Sequence, residues 1–79
     1  MSLRDVALEV LAKVSGVERE RISPEMDLVA NLGLDSAKAL QLLVELEERL
    51  GLEIEEDDAA GLNTVGDIFA FLDRAASAR

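Results

Sequence analysis

Two stretches with helical periodicity dominate the first two thirds of the chain. Apolar residues recur every three to four positions over residues 3–14, which Ser2 and Asp5 precede with capping-box spacing and Gly16 follows as a stop. A second stretch begins at Ser36 and ends at Gly51, and the Ser36 hydroxyl is predicted to be its N-cap. The core-facing stripe of this second helix is Ala39, Leu42, Leu43, Leu46 and Leu50.

The last third of the chain predicts one short and one long helix. Residues 57–61 can form a single turn that begins in acids and stops at a glycine. Thr64 and Asp67 have capping-box spacing at the start of a helix that runs to about residue 75. Leu52 and Ile54 alternate with glutamates, but no second strand is available for pairing, so we expect an extended connection. The apolar stripe of the last helix is Val65, Ile68, Phe69 and Leu72.

Residues 16–35 lack a sustained period and contain Pro24 and Gly33, so they are predicted to form a long loop. Four apolar residues are expected to anchor this loop to the core, namely Val17, Ile22, Leu28 and Leu32. The complete pattern predicts an all-α fold, a small four-helix bundle with three main helices, one short helix and a long first loop. We expect one domain over residues 1–79.

Composition removes most routes to catalysis. The chain has no Cys and no His, and therefore no thiolate nucleophile, imidazole base or zinc site of the usual kinds. A net charge of −9 opposes binding to nucleic acid or to an anionic membrane. No stretch is long and apolar enough to span a membrane, and no signal-peptide pattern is found, so we expect cytoplasmic residence. No EF-hand pattern is present, and no metal site is predicted.

Ser36 is not expected to act as a nucleophile on its own. The nearest amine, that of Lys38, lies two positions on and points roughly 200° away around a helix. The carboxylate of Asp35 is a weak base for a serine hydroxyl. Taken alone, Ser36 is interpreted as a helix cap.

A longer motif surrounds this serine. Residues 31–36 read Asn-Leu-Gly-Leu-Asp-Ser and closely resemble the attachment motif of the acyl carrier protein family, and residues 46–54 and 64–68 resemble the same family. The resemblance implies that Ser36 receives a 4′-phosphopantetheine arm from coenzyme A through a phosphopantetheinyl transferase, with Asp35 and Gly33 in the attachment site. It also implies a non-catalytic carrier of acyl thioesters that serves enzymes of fatty acid, polyketide or related lipid biosynthesis.

The second helix also carries apolar residues outside its core stripe. Ala37, Leu40 and Val44 lie about 100° to 160° from the centre of that stripe and predict a small exposed apolar strip beside the serine. The resemblance assigns this face to partner enzymes with basic docking surfaces. The expected partner-binding residues are Ala37, Lys38, Leu40, Gln41, Val44, Glu47 and Glu48.

Three of these residues depart from the usual pattern of the family. Ala37 replaces a larger aliphatic residue, and Lys38 and Gln41 stand where fatty-acid carriers commonly have acids. The departures favour a specialised carrier with dedicated partners, and we hypothesise that Lys38 and Ala37 set partner choice. An aminoacyl or peptidyl carrier, including a D-alanyl carrier, and an unmodified helical adaptor are the alternatives. In each case we expect a monomer.

The charge distribution gives a first prediction. Eight acidic residues and one arginine lie between Glu45 and Asp58, whereas residues 1–24 have no net charge. Because this surface repels itself, added salt or magnesium should raise the melting temperature in circular-dichroism melts. A melting temperature that stays flat across ionic strength would show that the acids are already compensated.

Overall fold

The computed structural model describes residues 2–77 and contains the predicted all-α bundle. Three long helices enclose the core, and a five-residue helix lies between the second and third of them. A single 3-10 turn, Arg19–Arg21, interrupts the first loop. The helices are α1 (Leu3–Ser15), α2 (Ser36–Leu50), α3 (Glu56–Ala60) and α4 (Val65–Ser77).

The core lies where α1 packs against both α2 and α4, and its buried side chains come from these three helices and from the first loop. Every buried side chain among residues 2–77 is apolar, so burial of hydrocarbon is the main stabilising term of the bundle. The largest fully buried side chains are Leu11, Leu34, Leu42, Leu46, Ile68, Leu72, Val10 and Val65.

The predicted ends of α1 are confirmed. The Ser2 hydroxyl accepts a hydrogen bond from the Asp5 backbone N–H at 3.1 Å, and the Asp5 carboxylate accepts one from the Ser2 N–H at 3.2 Å. Gly16 ends α1 with a φ of 77°, a left-handed conformation that glycine adopts at little cost. Within residues 52–55 no strand forms, in agreement with the predicted extended connection.

The first loop packs against the helices, as predicted. Ile22, Leu28 and Leu32 are buried, and Val17 is half-buried against the core. Three backbone hydrogen bonds tie this loop to the start of α4, from Val65 N to Met26 O, from Gly66 N to Pro24 O and from Leu28 N to Asn63 O, at 2.9–3.0 Å. The loop therefore has a fixed path across the bundle.

Two buried residues fall outside the predicted core. Leu34 is 2% exposed, and Phe71 is 8% exposed. Phe71 lies beside the predicted stripe of α4, so the buried face of α4 is wider than one row of side chains. No helix within residues 2–77 is long and apolar enough to cross a membrane.

The start of α4 is held by a second capping box. The Asp67 carboxylate accepts hydrogen bonds from the backbone N–H groups of Asn63 and Thr64, both at 3.0 Å. The Thr64 hydroxyl accepts in return from the Asp67 N–H at 3.1 Å. The backbone N–H of Asn63 is the largest contribution that lowers the pKa of Asp67 below the usual aspartate range.

Asp67→Asn should lower the melting temperature at neutral pH, because the neutral amide loses the charge-assisted cap. A lowered folded-state pKa contributes stability above the unfolded pKa and loses it as the pH falls through the folded value. The difference in melting temperature between wild type and Asp67→Asn should therefore shrink on acidification below about pH 4. The matched control is Glu53→Gln, which removes one exposed charge outside any cap. A difference that is independent of pH would contradict the assignment.

Candidate functional site

A polar turn fixes the loop that leads to α2. One carboxylate oxygen of Asp27, Oδ1, accepts hydrogen bonds from the backbone N–H groups of Val29 at 2.9 Å and Ala30 at 2.8 Å. The Asn31 side-chain oxygen accepts in turn from the Asp27 N–H at 2.7 Å. These side chains replace the backbone partners that an irregular segment lacks, and so they set the direction of the loop.

The next residues alternate between the core and solvent. Leu32 and Leu34 are buried, whereas Gly33 between them and Asp35 and Ser36 after them are exposed. Gly33 has a φ of 67°, which lets the chain turn between the two leucines. The Leu34 N–H donates to Leu28 O at 3.0 Å, so the chain is fixed two residues before the serine.

The cap of α2 differs from the prediction. Asp35, not Ser36, is the N-cap, and its carboxylate accepts a hydrogen bond from the Lys38 backbone N–H at 2.8 Å. Ser36 is the first helical residue. Both serine and aspartate are strong N-cap residues, and the extended backbone at Asp35 gives it that position. The Ser36 hydroxyl is therefore not committed to capping.

The start of α2 suits an attached phosphate. The backbone N–H groups of Ser36 and Ala37 lie in the first turn, where helical hydrogen bonding leaves N–H groups unpaired and the helix dipole is positive. The Asp35 carboxylate, which would repel an anion, is turned to the Lys38 N–H. The exposed Ser36 oxygen has room for a phosphodiester, and these N–H groups can donate to it.

The structure places most predicted partner-binding residues on one exposed face of α2. Leu40 and Val44 are 63% and 41% exposed, although both are aliphatic. We call the exposed set the docking strip. It consists of Ala37, Lys38, Leu40, Gln41, Val44 and Glu48.

Glu47, also predicted to bind partners, is only half-exposed. Its carboxylate accepts a hydrogen bond from the Ile54 backbone N–H at 3.0 Å and so holds the connection that follows α2. Glu45 is withdrawn in a similar way, because the hydrogen bond from Lys13 Nζ at 2.8 Å holds it against α1 and lowers its pKa. The acid of α2 that remains exposed is Glu48.

Two residues that hold the loop before Ser36 in place were not predicted to do so. Leu34 anchors the chain beside Ser36, and its signal is the alternation of apolar residues on either side of Gly33. Asp27 organises the turn, but an aspartate followed by apolar residues gives no distinctive pattern. Within residues 2–77, no group of three or more side chains is arranged to hold a metal ion.

Two apolar cavities lie at different distances from the serine. A cavity of about 60 Å³ lies between α2, α3, α4 and the first loop, and its lining consists of Leu28, Ala39, Leu42, Leu43, Ala59, Leu62 and Ile68. A larger one, about 280 Å³, is lined by Leu3, Leu50, Leu52, Ala75 and Ala76. Because Leu50 ends α2, the larger cavity lies at the far end of that helix from Ser36.

Comparison with known proteins defines the class first. Residues 5–72 match the phosphopantetheine attachment site family, which implies a 4′-phosphopantetheine prosthetic group. The chain is 40% identical to the acyl carrier protein of Syntrophobacter fumaroxidans over 65 residues, which cover 82% of this chain and 80% of that protein. It is 36% identical over 66 residues to the meromycolate extension acyl carrier protein of Mycobacterium tuberculosis H37Rv, with 84% of this chain covered.

Solved structures agree with the sequence matches. A candidate acyl carrier protein from Mycobacterium tuberculosis has a TM-score of 0.81 at 30% identity, over 87% of this chain and 92% of that one. The acyl carrier protein from Enterococcus faecalis has a TM-score of 0.70 at 26% identity, over 90% of this chain and 94% of that one. The chain belongs to the acyl carrier protein family. It spans 57% of the length of the mycobacterial meromycolate extension protein that it matches.

The turn at Gly33 can be tested by stability. Gly33→Ala should lower the free energy of unfolding by about 1 kcal/mol, because a side chain is strained at positive φ although the added Cβ meets no atom within 4 Å. Gly33→Asn should cost less, since asparagine tolerates this conformation. Gly61→Ala, at a negative φ with only an ordinary contact at 3.6 Å, is the control and should be nearly neutral. Equal urea midpoints for the Gly33 and Gly61 alanine variants would contradict the role of the turn.

Proposed function

We propose that this chain is an acyl carrier protein whose 4′-phosphopantetheine arm is attached to Ser36. The observation that carries the proposal is the position of Ser36, exposed and uncapped at the first residue of α2, at the end of a loop that buried leucines hold in place. The family match over residues 5–72 includes this position.

The chain's own residues present the attachment point. Leu32 and Leu34 fix the loop, Gly33 makes the turn, and Asp35 caps the helix, so the serine oxygen stays outward without a partner side chain. A phosphopantetheinyl transferase joins the phosphopantetheinyl group of coenzyme A to this oxygen, with loss of the hydroxyl proton and release of adenosine 3′,5′-bisphosphate. The terminal thiol of the arm supplies the thioester chemistry. Catalysis then belongs to the partner enzymes, which meet the arm at high effective concentration.

The small cavity behind α2 offers one place to shelter an acyl chain. Its volume is about 60 Å³, which is about the volume that two water molecules occupy in liquid water. An acyl chain is larger than this, so its entry requires the walls of the cavity to move. The five-residue helix α3 contributes Ala59 to the lining and has no buried residue of its own. We propose that α3 moves away from α2 when a chain enters.

The relatives support acyl cargo over aminoacyl cargo. The curated relatives described above are named acyl carrier proteins, one of them for meromycolate extension. We propose service in fatty acid, polyketide or related lipid biosynthesis for this chain, with phosphopantetheinyl transferase and acyl-processing enzymes as partners. A monomeric state, cytoplasmic residence and a single domain over residues 1–79 remain predictions.

Intact-mass spectrometry tests the attachment. Incubation of the purified chain with coenzyme A, magnesium and a broad-specificity phosphopantetheinyl transferase should add the mass of one phosphopantetheinyl group to wild type and none to Ser36→Ala. Ser23→Ala is the matched control, because it removes the serine of the loop that leads to α2 and should still gain the full mass. An unchanged mass in wild type would favour the unmodified adaptor, and a gain that persists in Ser36→Ala would place the arm elsewhere.

A further inference from the structure

Lys38 differs from the other cations of α1 and α2. Its side chain is exposed, and within residues 2–77 its amine lies within 4 Å of no carboxylate. Its nearest acid in the sequence, Asp35, is bound to its backbone N–H. By contrast, ion pairs compensate the other cations of these helices, in the pairs Arg4–Asp73, Lys13–Glu45 and Arg49–Glu9.

Lys38 also lies at a defined end of the docking strip. It is two residues from Ser36, whereas Glu48 is ten residues farther along α2, about 15 Å at the helical rise. Along the helix axis, the exposed apolar side chains of Leu40 and Val44 lie between these charges, and around the axis they are offset from Lys38 by about 160° and 120°. Gln41, on the same face, adds no charge.

The neighbouring acids do not cancel the cation. Glu45 is only 18% exposed at its side chain and is paired with Lys13. Glu47 is bonded to the Ile54 backbone. Among its own residues the docking strip is therefore dipolar, with a cation toward the serine end and an acid at the far end, on a chain whose net charge is −9, and the exposed Asp35 carboxylate lies just outside the strip at the N-cap.

We propose that the docking strip selects a partner enzyme with a carboxylate opposite Lys38, a lysine or arginine opposite Glu48, and an apolar contact between them. A basic residue at the first of these positions would meet an unpaired cation as the enzyme approaches Ser36. Such a like-charge contact weakens association, so Lys38 also excludes enzymes with a uniformly basic docking face. This proposal refines the proposed function and depends on it, because docking near Ser36 matters only if the arm is there.

The experiment uses the malonyl transferase of a bacterial type II fatty acid synthase as a basic-faced probe. A second form of this enzyme has the basic residue that faces the serine end of α2 changed to glutamate. Both forms are tested with wild type, Lys38→Met and Lys38→Asp. The readouts are the Kd for the unmodified chain by calorimetry and kcat/KM for malonyl transfer to the phosphopantetheinylated chain. Because an acid suits the first turn of a helix, Lys38→Asp should fold.

With the basic enzyme, Lys38→Asp should bind about tenfold more tightly than wild type, Lys38→Met should be intermediate, and the gain in kcat/KM should arise mainly in KM. With the reversed enzyme the order should invert. Both differences should shrink as the ionic strength rises, because the charges lie at the rim of the contact. If Lys38 had only a structural role, the order of the Kd values would not invert when the charge on the enzyme is reversed.

Arg74→Asp is the matched control, since Arg74 is an exposed cation in the last turn of α4, beside Ala75 at the end of the bundle remote from Ser36. Arg74→Asp should leave the Kd and the kcat/KM of both enzyme forms close to their wild-type values. Equal Kd values for wild type and Lys38→Asp with each enzyme would overturn the Lys38 proposal. Failure of every variant to gain a phosphopantetheinyl group would overturn the proposed function instead, while the Kd order still decides the charge proposal.

Discussion

The position of Ser36 depends on the burial of two leucines in an otherwise irregular segment. Leu32 and Leu34 turn into the core on either side of Gly33, and the chain between them cannot shift without exposing hydrocarbon or breaking the hydrogen bond from Leu34 N to Leu28 O. A loop is normally the most mobile part of a small domain, because it buries little and bonds mainly to water. Here the loop is fixed at the point where α2 begins, so Ser36 is exposed to solvent and still held in one position.

Some charged side chains pair with one another, and others remain unpaired on the exposed face of α2. The cations and acids on α1 and on the adjoining side of α2 largely pair with one another, as Lys13 does with Glu45 and Arg49 with Glu9. Surface pairs of this kind contribute little stability individually. Their larger effect is to leave the exposed face of α2 with few charged groups, of which Lys38 and Glu48 define the two ends.

Helical periodicity and capping patterns were sufficient to predict α1, α2, α4 and the short α3, because each depends on residues close in sequence. The packed loop was predicted from Leu28 and Leu32, but Leu34 was missed although apolar residues alternate around Gly33. Its position is fixed by the Asp27 turn and by the hydrogen bond from Leu34 N to Leu28 O. The cap of α2 was misassigned because Asp35 and Ser36 are both good caps, and the backbone geometry that chooses between them is not visible in the residue types. Likewise, the family resemblance assigned Glu47 to the expected partner-binding set, whereas its bond to Ile54 becomes apparent only in three dimensions.

The claim that Ser36 is the attachment point can be tested on protein purified from its own cells. Trypsin cleavage after Arg21 and Lys38 gives a peptide of residues 22–38 with two serines, Ser23 and Ser36. Ser23 is half-buried before a proline, while Ser36 is exposed at a helix start. Tandem mass spectrometry of this peptide should locate a phosphopantetheinyl group on Ser36 and leave Ser23 unmodified. A modified Ser23, or this peptide found only in its unmodified form, would contradict the assignment.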